Sequence, residues 1–230
     1  MKRSKITILL AIVLGMTFHS CLDLEPQDQL GGKNMWTSVN DYKQFANTFY
    51  SWTRDFSSVV YDGTHSDKRS DLITYQSYNE FSRGINSIPS SDANYTDNYK
   101  HIRRTNLLLQ NAEAYAKPED IKQYIGEAYF FRAYSYFDLL QLYGDVIITK
   151  KPLDITDPEM KVKRNDRSEV VDLIIDDLNH AVENLPAFKE LTTEEEGRIS
   201  KEGAQAFLSR VALYEGTWQK SRNGNQNTQR

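Results

Sequence analysis

Two stretches of this chain carry the same pattern, Ala128-x3-Arg132-x3-Tyr136 and Ala206-x3-Arg210-x3-Tyr214. A spacing of four places all three residues on one face of an α-helix. The surrounding residues agree. Ile121, Ile125, Ala128, Tyr129, Tyr136, Leu139, Leu140 and Tyr143 recur at helical spacing up to Gly144, a natural stop. Ala204, Phe207, Leu208, Val211, Ala212 and Tyr214 do the same in a helix starting near Ser200. A small Ala permits close approach of a neighbouring helix, and the Tyr one turn on fills the space beside it. An arginine within such a stripe needs a carboxylate from an adjacent helix, with Glu113, Asp176 and Asp177 as the candidates. Arg132 and Arg210 are therefore read as architecture rather than as ligand contacts.

Each of these helices follows another. Ile102, Leu108, Leu109 and Ala112 mark one from Tyr99 to about Ala116, punctuated by Pro118. Val170, Leu173, Ile174, Leu178, Ala181, Val182 and Leu185 mark another, beginning near Ser168 with Glu169 close by as a capping acid and ending at Pro186. Helix pairs recurring at about twice a ~34-residue period resemble tetratricopeptide-type repeats. A shorter helix is expected near the start, with Asp41 as its cap and Tyr42, Phe45, Ala46 and Phe49 on one face. Trp36 and Trp52 are expected to anchor that helix, and Trp218 to pack the end of the fourth. Residues 53–95 are rich in Ser, Asp, Asn and Tyr and read as a long irregular region. The fold class is thus all-α, with tetratricopeptide-like helical pairs and a long irregular N-terminal region. The helical domain is placed at 34–218, and the Asn/Gln/Ser/Arg-rich residues 219–230 read as a disordered tail.

The N-terminus has a different character. Lys2, Arg3 and Lys5 precede an apolar run from Ile6 to Met16, too short to span a bilayer comfortably and of signal-peptide length. Cys21 follows Ser20 and is the only cysteine, so no intramolecular disulfide can form. A lone cysteine after such a core resembles a bacterial lipobox, although Phe18 and His19 depart from its usual residues. Residues 1–20 are expected as a lipoprotein signal peptide, with Cys21 as the lipid attachment site. Residues 21–33 form an acidic tether without apolar period. The net charge of −4 becomes more negative once the basic head is removed, and no basic stripe remains for a phosphate backbone. Nucleic acid is not an expected partner.

Catalytic patterns are absent from the sequence. His19, His65, His101 and His180 are scattered without metal-ligand spacing, and neither a Gly-x-Ser-x-Gly nor a His-Glu-x-x-His occurs. Asp176 and Asp177 are adjacent on a helix and so do not face each other as an acid/base pair. No enzyme, cofactor or metal site is expected. The 14 Tyr and 10 Phe suit either a helical core or flat platforms for apolar sugar faces. Residues 60–95 supply Tyr61, Tyr75, Tyr78 and Tyr95, with Asn79, Asp92 and Asn94 beside them for hydroxyl groups.

Several segments in order resemble the SusD/RagB family. They are Tyr99-Lys-His-Ile-Arg-Arg-Thr-Asn106, Gly126-Glu-Ala-Tyr-Phe-Phe-Arg132-Ala-Tyr-Ser-Tyr136, and Leu142-Tyr-Gly-Asp145. Glu169–Leu178, Asn184-Leu-Pro186, and Gly197-Arg-Ile-Ser-Lys201 leading to Ala206-Phe-Leu-Ser-Arg210 continue the likeness. The resemblance implies an outer-membrane, surface-exposed lipoprotein of Bacteroidetes. It would bind oligosaccharides for import with a SusC-like TonB-dependent transporter, and would not be an enzyme. Tyr95 stands where the family often has Trp, so it leads the carbohydrate-binding candidates, followed by Tyr78, Tyr75 and Asn94. Asp145-Val146-Ile147 departs from the family's usual Gly-Val-Pro. The chain is about half the usual family length and reads as a truncated form. The alternative is a helical-repeat scaffold that binds protein without sugar binding of its own.

Overall fold

The computed structural model describes residues 35–53, 80, 83–154 and 156–227. The chain divides into two compact units, Met1–Met35 and Trp36–Arg230, and the architecture below belongs to the second. The signal segment, Cys21, the tether, Tyr61, Tyr75, Tyr78 and Asn79 lie outside the described residues, as does the Trp218 side chain. Among the described residues the regular structure is helical, with one isolated antiparallel bridge between Val146 and Asn165.

Helix α1 spans Val39–Asn47 and continues as a 3-10 turn, Thr48–Trp52. Its cap is Ser38, not Asp41 as the sequence suggested. Asp41 is the reciprocal partner, its carboxylate accepting from Ser38 N at 2.8 Å while Ser38 Oγ accepts from Asp41 N. The short polar residues at both positions made the two roles hard to tell apart. Tyr42, Phe45, Ala46 and Phe49 are buried as expected. Trp36 contacts Tyr42 and Phe45, and Trp52 contacts Phe49 and Phe131, so both tryptophans anchor this segment.

Helix α2 spans Ala93–Glu113 and starts six residues before Tyr99. Asp92 caps it by accepting from Asn94 N at 2.9 Å. The first turns are mostly polar and half-buried, so apolar periodicity could not mark them. A 3-10 turn at Pro118–Ile121 leads into α3, Lys122–Tyr143, which ends at Gly144 in the left-handed region (φ 72°). Helix α4 spans Arg167–Asn184, and its N-cap is Asp166 rather than Ser168, with Asp166 N donating to Glu169 Oε2 at 3.0 Å. Helix α5 runs Lys201–Asn227. It passes the expected boundary at 218, because the polar residues beyond Trp218 contain no proline to stop it.

Helix α3 is the centre of the unit, buried almost all round and packed against α2, α4 and α5. At the α3–α4 crossing, a Cβ on Gly126 would lie 2.9 Å from Leu185 Cγ, so glycine there permits the close approach. Phe207 of α5 packs on Phe130, Tyr134 and Phe137 of α3. Three largely buried ion pairs tie these layers together, one of them Arg167 of α4 with Glu215 of α5 at 2.9 Å. Arg132 of α3 grips Asp177 of α4 through two contacts of 2.6 and 2.8 Å, confirming one of the carboxylates the sequence offered. Arg198, just before α5, grips Glu127 of α3 at 2.7 and 2.8 Å and also reaches Asn47 of α1. The Glu127 side chain is fully buried.

Candidate functional site

The stretch between α3 and α4 supplies the wall of the principal groove. Residues 147–153 run alongside α2 with a bend at Lys150 and Lys151, and side chains from the helices hold their backbone carbonyls. Tyr99 donates to Ile147 O at 2.8 Å, and Asn106 Nδ2 donates to Thr149 O at 3.0 Å and to Lys151 O at 3.3 Å. Arg103 Nε donates to Leu153 O at 3.3 Å. From α3, the Tyr136 hydroxyl accepts from Thr149 N at 2.7 Å and donates to Thr149 O at 3.2 Å. Behind Asn106 stands Arg132, whose Nη1 donates to Asn106 Oδ1 at 2.8 Å, and behind that Asp177. The repeat arginine of α3 thus orients the amide that pins the groove wall. Helical spacing explains the arrangement, since Tyr99, Arg103 and Asn106 share one face of α2.

The groove has a volume of about 460 Å³. Tyr95, Thr96, Tyr99, Lys100 and Arg103 line it from α2, and Ile147, Thr149, Lys151, Leu153 and Glu159 from the connecting stretch. Tyr95 is half-buried, tilted against Tyr99 at 4.8 Å between ring centroids and edge-on to Tyr143 at 5.2 Å. Tyr143 donates to Asp92 Oδ2 at 2.7 Å, so the α2 cap also steadies the ring beside Tyr95. Burial and the neighbouring Tyr95 raise the Tyr99 pKa well above that of a free phenol, so its hydroxyl remains a donor at Ile147. The charged rim is paired but exposed. Lys151 meets Glu159 at 2.8 Å, Lys100 meets Asp97 at 2.7 Å, and Arg103 lies 3.6 Å from Asp154.

Asn94 and Tyr95, adjacent in sequence, part company in space because successive helical residues diverge by about 100°. Asn94 lines a separate cavity of about 160 Å³ with Trp52, Asp97, Asn98, His101, Tyr134 and Asp138. Its amide donates to Asp92 Oδ1 at 3.1 Å. In this second cavity His101 stacks on Trp52 at 4.1 Å, and burial lowers its pKa to about 4. No group of three or more His, Cys, Asp or Glu side chains arranged for a metal occurs among the described residues.

The sequence reading did not bring out Lys100, Arg103, Lys151 and Glu159 as groove residues, nor Glu127–Arg198 as a buried pair. The latter partners are 71 residues apart. A signal for it existed, because a lone glutamate in the apolar run Gly126-Glu-Ala-Tyr-Phe-Phe must find a cation.

A SusD-like family model described as starch-binding and associating with the outer membrane matches residues 22–213. SusD-like protein P38 of Formosa agariphila is 28% identical over 233 residues, covering 93% of this chain and 42% of that protein. SusD-like protein P2 of the same organism is 28% identical, covering 96% of this chain and 45% of its own length. Among solved structures, a SusD-like protein of Bacteroides fragilis superposes with a TM-score of 0.64 at 25% identity, over 84% of this chain and 38% of its own. A laminarin-binding SusD-like protein superposes with a TM-score of 0.53 at 31% identity, over 61% of this chain and 30% of its own. The chain therefore spans less than half the length of these relatives. With the family model matching most of its residues, this chain belongs to the SusD-like family.

Proposed function

We propose that this chain is the helical portion of a surface lipoprotein that captures oligosaccharides without transforming them. The Tyr95–Tyr99 groove supports this reading most directly. A sugar ring presents an apolar face to an aromatic ring while its hydroxyls meet polar groups at the edge, and the groove offers both. The captured glycan would be handed to a SusC-like TonB-dependent transporter. Cys21, acylated after removal of residues 1–20, would hold the protein at the outer membrane. Tyr95 is the central contact, and Tyr75 and Tyr78 are proposed to add aromatic faces from the preceding segment. Asn94 is assigned to hydroxyl contacts from the neighbouring cavity.

Calorimetry of the full chain against a panel of malto-, laminari- and uronate oligosaccharides tests the reading. Binding should appear for at least one class and weaken about tenfold in Tyr95→Ala, equivalent to about 1.4 kcal/mol. Silence across the panel, or binding indifferent to Tyr95→Ala, would sink it. Fatty-acid labelling lost in Cys21→Ala tests the anchor. A second reading, a protein-binding scaffold, is favoured by one observation. One side of α5 carries Ala206 and Arg210 exposed among the described residues. Co-purification of a β-barrel transporter with a Tyr95→Ala variant that binds no glycan would support that reading.

A further inference from the structure

The donor and acceptor balance of the groove narrows the class of sugar that fits it. Among its described lining residues, Lys100, Arg103 and Lys151 carry positive charge and Glu159 alone is acidic. Lys and Arg offer only donors, three and five hydrogens respectively. The hydroxyl protons of Thr96 and Tyr99 and the backbone of Thr149 are already committed. Thr96 Oγ1 donates to the carbonyls of Asp92 and Ala93, Tyr99 donates to Ile147 O, and the Thr149 backbone is held by Tyr136 and Asn106. Asn and Gln, which both donate and accept towards sugar hydroxyls, do not occur among the described lining residues. The charged groups of the described lining are thus mostly donors. That excess stands out in a chain of net charge −4.

From this we infer that the groove selects acidic oligosaccharides, glycans whose rings carry a carboxylate or sulfate, over neutral ones. The inference rests on the glycan-binding reading above and specifies its ligand. An acidic sugar would lay its ring on Tyr95 and direct its anionic group to Arg103 and Lys151. Carboxylate and sulfate oxygens accept only, which matches the donors available, and a guanidinium can take two such oxygens side by side. The carboxylates now paired with these cations do not prevent this. Asp97 and Asp154 lie outside the lining, and the Arg103–Asp154 pair is long at 3.6 Å with side chains 52% and 85% exposed. Lys151 has a nearer partner in Glu159, at 2.8 Å, and a farther one in Asp157, at 3.9 Å, and both Lys151 and Glu159 are about half exposed. Exposed pairs of this kind are worth at most about 1 kcal/mol each, so a ligand anion held in place by ring stacking can displace them. The Arg103 side chain is already oriented, since its Nε is fixed on Leu153 O.

The test compares laminaritriose and maltotriose with trigalacturonate and a sulfated trisaccharide, by calorimetry on the full chain. The acidic probes should bind at least about tenfold more tightly at ~20 mM salt, and the advantage should shrink at ~300 mM salt as screening grows. Arg103→Gln and Lys151→Gln should each remove most of that advantage. Arg210→Gln, far from the groove residues in sequence and on α5, is the charge-matched control and should preserve it. Circular dichroism of each variant establishes that it is folded. Equal affinity for neutral and acidic probes, an advantage insensitive to salt, or one retained in both groove variants would overturn the inference. In those cases binding that still depends on Tyr95 would leave the glycan-binding reading standing. Binding of no probe, or binding unaffected by Tyr95→Ala, would overturn both.

Discussion

Helices α3 and α5 carry the same Ala-x3-Arg-x3-Tyr pattern in opposite surroundings. In α3, Ala128 and Tyr136 are fully buried, and Arg132 is 5% exposed with its guanidinium on Asp177 and Asn106. In α5, Ala206 and Arg210 are exposed and Tyr214 is half-buried against Phe137. Among the described residues the expected carboxylate partner is found for Arg132 and not for Arg210, which lies on an exposed side of α5. The pattern thus specifies a helix able to accept a close neighbour over its arginine. Whether that neighbour is present is decided elsewhere in the chain.

The sharpest way to break this comparison is to remove the partner of the buried arginine. Asp177→Ala leaves the Arg132 guanidinium charged, buried and facing a void, and should cost about 3–5 kcal/mol in urea unfolding. It should also release Asn106 and with it the hold on Thr149 O and Lys151 O. Amide exchange across 147–153 should then accelerate. A loss under 1 kcal/mol would mean that the pair is not the structural tie described.

Acid probes a second packed contact, on α2. His101 packs on Trp52, near Asp97, Lys100, Arg104 and Asp138, and burial is the largest influence lowering its pKa from 6.5 to about 4. Between those values the unfolded chain binds a proton that the folded chain does not. Stability is therefore full above pH 6.5 and falls as pH drops towards about 4. Allowing for partial solvent contact, the loss should be on the order of 1–2 kcal/mol. The measurement is the difference in unfolding free energy between wild type and His101→Gln across pH 4–7, which cancels most of the carboxylate titrations common to both. An unchanged difference over that range would show that His101 is not held neutral.

Much of the fold was legible because apolar residues at helical spacing are what a helix buries. The extents of α3 and α4 follow from that spacing, and Pro118, Gly144 and Pro186 from backbone stereochemistry. The start of α2 was not legible, since its first turns are mostly polar and are fixed by the Asp92 cap. Of the candidate site, Tyr95 could be singled out, and it lines the groove of about 460 Å³ beside α2. Its polar neighbours could not, because Lys151 and Glu159 reach the groove only through the path of the 147–159 connection. That path depends on hydrogen bonds to Asn106 and Tyr136 across 43 and 13 residues. The same limit applies to Asn94, where adjacency in sequence suggested a shared site and helix geometry separates the two side chains.

A smaller test of the comparison uses the residue two before the repeat alanine, Gly126 in α3 and the buried Ala204 in α5. Alanine is favoured over glycine in a helix by about 1 kcal/mol. At Gly126, however, the added Cβ would meet Leu185 Cγ at 2.9 Å, and Leu185 is itself buried with little room to turn. Overpacking of this kind costs about 1–3 kcal/mol, so Gly126→Ala should be net destabilising by about 1 kcal/mol. That lowers the melting temperature by about 2–4 °C. A rise instead would mean that α3 and α4 are less tightly apposed than the contact implies.

The least effect is expected at the residue that most resembles the critical one. Arg210 occupies the place in α5 that Arg132 holds in α3, yet it is exposed and no bond to Asp or Glu holds it among the described residues. Arg210→Ala removes a solvated charge and puts a better helix former in its place, so stability should stay within about 0.5 kcal/mol. Set against the large loss expected from Asp177→Ala, this is the quantitative form of the difference between a repeat arginine buried between helices and one left exposed. A cost of 2 kcal/mol or more, by analogy with hydrogen bonds to charged groups, would mean that Arg210 has a partner in solution and that its side of α5 is covered. Repeating the measurement at several protein concentrations would then separate a second copy from a contact within the chain, because only the former makes the cost depend on concentration.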